Sequence, residues 1–467
     1  MAAKSNTRMA KSSGSYDLTL VLSVLGLVVM GLIMVFSASF YQGLEGYEDA
    51  YYFITRQVIW GALGLVAMVI AARIPYHFWE TWSVLLLGVA LLMLVAVVVM
   101  GSDLFGSKRT FFGGSVQPSE AAKIVVIIYI SAWLTSKGER IKDVNVGLIP
   151  FGVLMGVVAA LVVAQPDIST AALIVLTASV LFFIAGAEVK QIIIIGVLTG
   201  ITLWIVITQS SYAGNRIDQL LISWENPLTS ESWQIRNTTQ AVVSGGPVGA
   251  GIGAGELKQG SIPLGWSDNI FAVIGEETGL LGSLLLVVLF ALFAYRGFQI
   301  ALRARDNFGM LMATGITTLI MLQTCLNVAV ILALAPPTGV TLPFISYGGS
   351  SMVVLLGSVG LLLSVSKYGT MASGVRRQPT SRSGSRSAGR SAGRTTGRST
   401  GRSTGRSSMG EAAYARFDFG WRDRWSRLSG SGRSRSAGSS RRTGRKPAKR
   451  STRKSNSRAS SRSQKNR

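Results

Sequence analysis

Apolar runs of about twenty residues recur along the first 370 positions, separated by short polar or glycine-containing turns. A helix needs about 20 apolar residues to cross the hydrocarbon core of a bilayer. The pattern predicts ten such spans, near 18–38, 53–72, 78–100, 118–136, 147–165, 168–186, 190–208, 279–300, 309–333 and 344–366. The expected fold class is therefore all-α, a polytopic membrane protein. The first run is long and others follow it, so it reads as a signal anchor and not as a cleaved signal peptide. One connection stands apart from the short turns. Residues 209–278 separate the seventh and eighth spans, and loops of that length tend to carry function. The chain divides into an N-terminal segment (1–16), a membrane body (17–368) that includes this loop, and a tail (369–467).

Composition agrees with that class: 48% of the 467 residues are hydrophobic and mean hydropathy is +0.41. The net charge of +24 is unevenly placed. Residues 371–467 hold 27 Lys and Arg against three acids (Glu411, Asp418, Asp423), while the other 370 residues hold 19 bases and 19 acids. The tail thus carries the whole excess. Its repeat SAGRSAGRTTGRSTGRSTGR at 387–406 cannot bury enough apolar surface to fold and reads as disordered. A juxtamembrane basic segment suits an anionic membrane surface. That reading, or no dedicated role, is favoured over nucleic acid, for which an Arg/Gly/Ser run has no specificity. An aromatic island, EAAYARFDFGWRDRWSRL at 411–428, suits an interfacial or partner-docking segment.

Basic residues in short loops set orientation. With the N-terminus in the cytoplasm, Lys4, Arg8, Lys11, Arg73, Lys137, Arg140, Lys142, Lys190, Arg296, Arg303 and Arg305 all fall inside. The first outer loop is acidic (Glu45, Glu48, Asp49), and Lys108 and Arg109 are the outer exception. Ten spans bring the basic tail back inside, so parity and charge agree. The long loop 209–278 is then extracytoplasmic. The single cysteine, Cys325, excludes an intramolecular disulfide. The single histidine, His77, lacks Cys or His partners and reads as interfacial.

Carboxylates near hydrocarbon are costly and usually have work to do. Asp268, Glu276 and Glu277 stand where the long loop meets the eighth span. Gln117-Pro118-Ser119-Glu120 opens the fourth span, with Gln117 or Ser119 as possible caps; Glu120 and Lys123 are three apart and can pair. That pair reads equally as a structural ion pair or as a polar element facing a cavity. Asp167 of Gln165-Pro166-Asp167 suits an N-cap. The glycine-dense segment 244–253 has G-x-G-x-x-G-like spacing but no preceding strand, so close backbone approach is favoured over dinucleotide binding. Residues 336–351 break the helix pattern at the start of the last span, which is tolerated only beside protein or a wet cavity.

Six segments in order resemble the SEDS family of shape, elongation, division and sporulation proteins, typified by FtsW and RodA: QPSEAAK (117–123), QPD (165–167), SWQ (232–234), SGGPVGAGIG (244–253), SDNIFAVIGEETGLLG (267–282) and PPTGVTLPFISYGGSS (336–351). The resemblance spans about residues 17–368. It implies a peptidoglycan glycosyltransferase that polymerises lipid II in the bacterial cytoplasmic membrane, with a division role at the septum favoured over RodA-like elongation. It implies a class B penicillin-binding protein transpeptidase and other divisome proteins as partners. The polymerisation reaction calls for positive charge at the leaving pyrophosphate, from side chains or from a divalent cation (Mg²⁺ or Mn²⁺) for which Asp268 is the candidate ligand, and for no organic cofactor. Asp268 matches the family's proposed catalytic aspartate, and Glu276 and Glu277 its supporting carboxylates. Arg109, Lys258, Arg216, Glu120, Lys123, Gln234, Ser346 and Ser350 are the candidates for pyrophosphate or cavity contacts. The sequence departs from the family's Pro-Glu-x-His-Thr-Asp-Phe pattern, with Leu264, Trp266 and Asn269 in place of the glutamate, histidine and phenylalanine. The competing readings are a flippase for lipid-linked precursors and a non-catalytic scaffold for the transpeptidase. The flippase reading calls for ionisable groups near the bilayer midplane; here they gather at one face.

Overall fold

The structure, a computed structural model, describes residues 16–104, 107–110 and 117–369, without the side chains of 102–116 and 211–213. The first 15 residues, and the tail from 370 with its aromatic island, lie outside the described residues. Among the described residues the regular structure is helical apart from one hairpin, β1 (Ser102–Leu104) and β2 (Ser107–Thr110).

The ten predicted spans all appear as helices. They are α1 (Leu18–Tyr47), α2 (Tyr52–Arg73), α3 (His77–Met100), α4 (Pro118–Lys137), α5 (Ile149–Val163), α6 (Ile168–Ile184), α7 (Val189–Gln209), α10 (Ile270–Arg303), α11 (Asn307–Ile331) and α12 (Gly349–Gly369). Nine helical stretches among the described residues are long and apolar enough to cross a membrane; for α5 this includes the turn from Val144. The other, α6, has 17 residues, the short end of what crosses. The long loop between α7 and α10 is not structureless. It holds α8 (Ser211–Ser223) and α9 (Trp233–Ser244).

Burial sorts the helices. In its most apolar window α12 is 72% buried, α4 and α11 are each 61% buried, and α7 only 11%. The first three are central and α7 is peripheral. Helices in lipid associate by close packing, because the lipid side is as apolar as the protein side. The α2–α12 contact shows this: a Cβ on Gly360 would lie 2.4 Å from the carbonyl oxygen of Met68, so only glycine admits that approach.

Local signals hold at some helix ends and not others. Asp17 caps α1 by accepting from the Leu20 N–H (3.0 Å), and Asp167 caps α6 by accepting from the Thr170 N–H (3.2 Å). At α4, Pro118 takes the first turn as expected, but no side chain caps it. Gln117 Nε2 instead reaches Asp167 Oδ2 (3.4 Å), and the Ser119 hydroxyl is buried without a partner. Tertiary contacts between the α4 and α6 starts have displaced the local cap.

Candidate active site at the α10 entrance

The predicted eighth span begins at 279, and the structure shows why the element starts earlier. Helix α10 runs from Ile270 but breaks at Gly279 (φ 63°, ψ −158°). A break orphans backbone groups that a membrane cannot hydrate. The glycine-dense segment satisfies them. The N–H groups of Leu280 and Leu281 donate to the carbonyls of Gly246 (2.9 Å) and Pro247 (3.1 Å). The carbonyls of Glu276 and Glu277 accept from Ala250 (3.0 Å) and Gly251 (2.9 Å). Backbone meets backbone, so side chains are excluded: a Cβ on Gly249 would lie 2.2 Å from the Glu277 carbonyl oxygen.

The two glutamates fasten the same segment. Glu276 Oε1 accepts from the N–H groups of Glu256 (2.7 Å) and Leu257 (2.8 Å). Glu277 is 1% exposed and pairs with Lys258 (2.5 Å), which is 4% exposed. Ser37 of α1 donates to Glu277 (2.7 Å). An ammonium has three donors, and Lys258 directs them to Glu277, Ser37 (2.9 Å) and the Gly253 carbonyl (2.9 Å). All three of its donors are thus engaged within the protein. No hydrogen bond of either glutamate goes to Asp268; both carboxylates anchor the loop from behind.

Asp268 lies beyond that anchor, one residue before the α10 N-cap. Its segment is held on every side through backbone atoms. Ser346 donates to the Ser267 carbonyl (2.6 Å), the Tyr347 N–H donates to the Trp266 carbonyl (2.9 Å), and Asn327 of α11 donates to the Asp268 carbonyl (2.7 Å). Asn269 donates to the Pro263 carbonyl (2.5 Å) and accepts from Gln234 (3.2 Å). Ser346 and Gln234 thus position the loop. The carboxylate is treated differently: Asp268 Oδ1 is buried without a hydrogen-bond partner. Burial pushes its pKa up to about 6. Hydrogen bonds from its own and Asn269's N–H, and the charge of Arg216, pull the other way without overcoming burial. Arg216, on α8, also donates to the Pro337 carbonyl (2.7 Å), which ties α8 to the 336–339 turn beside Asp268.

A second polar chain leads into the bundle. One turn before Asn327 on α11, Gln323 accepts from Lys123 (3.1 Å) and donates to the Thr341 carbonyl (3.0 Å). Lys123 pairs with Glu120 (2.9 Å), whose other oxygen accepts from Ser351 (2.9 Å). Glu120 is 6% exposed and Lys123 3%. Ser350 accepts from the Gln117 N–H (3.0 Å). Removing one member of a buried pair strands the other charge, at about 3–5 kcal/mol. Lys123→Met is expected to lower the thermal unfolding midpoint in detergent sharply. Glu120→Gln/Lys123→Met is expected to recover most of it. Equal midpoints for Lys123→Met and wild type would show that the pair contributes nothing to stability.

Arg109 falls on β2, and its side chain lies outside the described residues. The contributions of Ser37, Gln323, Asn327 and Ser351 were not among the sequence candidates. The available signal was polar residues inside apolar runs, with Gln323 and Asn327 four apart on one helix face.

Comparison with known proteins gives the lineage. The model of the FtsW/RodA/SpoVE cell cycle proteins matches residues 18–371. A probable peptidoglycan glycosyltransferase FtsW of Geobacter metallireducens is 38% identical over 355 residues, covering 75% of this chain and 94% of the relative. Stage V sporulation protein E of Bacillus subtilis is 36% identical over 368 residues, covering 77% and 99%. A chain from a peptidoglycan synthase complex shares the fold at TM-score 0.61 and 24% identity, covering 75% of this chain and 97% of that one. The rod shape determining protein RodA of Thermus thermophilus does so at TM-score 0.55 and 24% identity, covering 75% and 96%. Nine apolar helices in such a fold make this a multi-pass membrane protein. By the extent of the match, the chain belongs to the FtsW/RodA/SpoVE family of cell cycle proteins.

Proposed function

We propose that this protein is a peptidoglycan glycosyltransferase that polymerises lipid II on the extracytoplasmic side of the membrane, at the division septum, beside a class B penicillin-binding protein. The observation that carries the reading is Asp268: a carboxylate at the loop-to-span junction with one oxygen buried and unpartnered. In the reaction an acceptor sugar hydroxyl attacks the anomeric carbon of the donor. The new C–O bond forms as the bond to the lipid pyrophosphate breaks, and the hydroxyl proton must leave. Asp268 is the acceptor for that proton. A base with a pKa near 6 is ionised at neutral pH yet more basic than an ordinary carboxylate, as proton transfer requires. Its neighbour Arg216 supplies positive charge at the same face.

Among the described residues no three His, Cys, Asp or Glu side chains gather to hold a metal. One carboxylate with an unpartnered oxygen still fits a cation whose other ligands are substrate phosphate and water. In that case Asp268 would hold the cation in place of taking the proton, and Mg²⁺ or Mn²⁺ there would neutralise the departing pyrophosphate.

The test is purified protein, with and without its cognate transpeptidase, given lipid II and Mg²⁺ or Mn²⁺. Glycan strands on a gel are the expected result. Transfer of lipid II between vesicle leaflets with no polymer from the partnered protein would replace this reading with a transporter.

A further inference from the structure

Lys258 and Glu277 lie ten residues before and nine residues after Asp268. Their contact therefore closes a loop with the proposed base near its middle. Both side chains are removed from solvent, and every donor of Lys258 is engaged. Ser37 ties the pair to α1, an element otherwise remote in sequence from the loop. Glu276 cradles the adjacent turn through two backbone N–H groups, and a Cβ on Gly255 would lie 2.8 Å from its other oxygen. The far side of the loop is held at Ser261 by Asn237 (2.6 Å) and at Asn269 by Gln234.

We propose that the Lys258–Glu277–Ser37 cluster is a latch that positions Asp268, and that it acts on the rate of the chemical step and not on substrate binding. The proposal rests on the glycosyltransferase reading for its kinetic half and on geometry alone for its structural half. A bundle needing only stability would be served as well or better by apolar residues at this spot, since desolvating two charges costs about as much as their attraction returns. What the charged pair adds is direction. Three short, angular bonds from one ammonium fix the 253–258 turn against α1 and α10, and the ten residues that follow inherit that starting point. Displacing a reacting group by about 1 Å can cost a hundredfold in rate.

The test compares wild type with Lys258→Met and Lys258→Met/Glu277→Gln in the full chain. The single variant strands a buried carboxylate and is expected to unfold more easily. The double variant carries no stranded charge and is expected to melt close to wild type. Two readouts then separate latch from ballast. In the folded double variant the kcat for lipid II polymerisation is expected to fall at least about tenfold with KM unchanged within about twofold. Amide hydrogen exchange is expected to quicken across 259–268 and not in α11. A double variant with wild-type kcat, or with unchanged exchange across 259–268, overturns the latch. If wild type itself makes no polymer, the glycosyltransferase reading fails, and the exchange measurement decides on its own whether the pair orders the Asp268 segment.

Discussion

Asp268→Asn is expected to cut lipid II polymerisation by about a hundredfold or more while leaving the protein folded. The amide keeps the shape and loses the charge and with it the basicity, and positioned acid–base groups contribute on the order of 10²–10⁴ in rate. The gel assay of strand length, run on detergent-solubilised protein with its transpeptidase, reads this directly. Normal strands from the variant would remove Asp268 from the chemistry. The pH dependence carries a sign of its own. Wild-type activity should decline as pH falls through about 6, where the base takes up its proton. Stability should respond in the opposite sense. Because the folded-state pKa is raised, the native protein holds its proton more tightly than the unfolded chain between the ordinary carboxylate range and pH 6. Stability therefore falls as pH rises through that window, and the full cost is present above it. Asp268→Asn removes this cost, so at pH 7 the inactive variant should melt at or above the wild-type temperature. The advantage should shrink toward pH 4. A variant that melts lower at pH 7 would mean the carboxylate is stabilised by contacts and not penalised by burial.

Gly249→Ala is expected to be among the most damaging small substitutions in the loop, costing about 3 kcal/mol or more. Two penalties combine there. The backbone is at φ +85°, where L side chains are strained, and the new methyl would sit 2.2 Å from the Glu277 carbonyl oxygen. Gly253 offers the control. Its φ is +89°, but nothing lies within 4 Å of a Cβ there, so Gly253→Ala should cost only the backbone strain, about 1 kcal/mol. Thermal unfolding of the two variants side by side isolates the clash. A difference under about 1 kcal/mol would mean the 244–251 segment does not press against the α10 break as tightly as the hydrogen bonds imply. The outcome bears on function, because the same segment leads into the Lys258 turn and from there to Asp268.

These two sites show what kind of information each level holds. The ten helices were legible because the bilayer imposes one simple rule, length of apolar run, and every span from α1 to α12 obeys or nearly obeys it. Asp167 as a cap and the place of Asp268 before α10 were legible for the same reason: each depends on a few neighbours along the chain, or on family order. The contacts of Lys258, Glu276, Glu277, Ser346 and Gln234 were not. Their partners are distant in sequence, as Ser37 is 240 positions from Glu277. No periodicity encodes such a meeting. An apolar solvent makes any unmet polar group expensive, so the sequence alone could say that these side chains must find partners. Which partners they found, and that Lys258 meets Glu277 while Asp268 Oδ1 is left without a partner, was decided only when the break at Gly279 and the packing of α1, α10 and α11 brought distant segments to the same few ångströms.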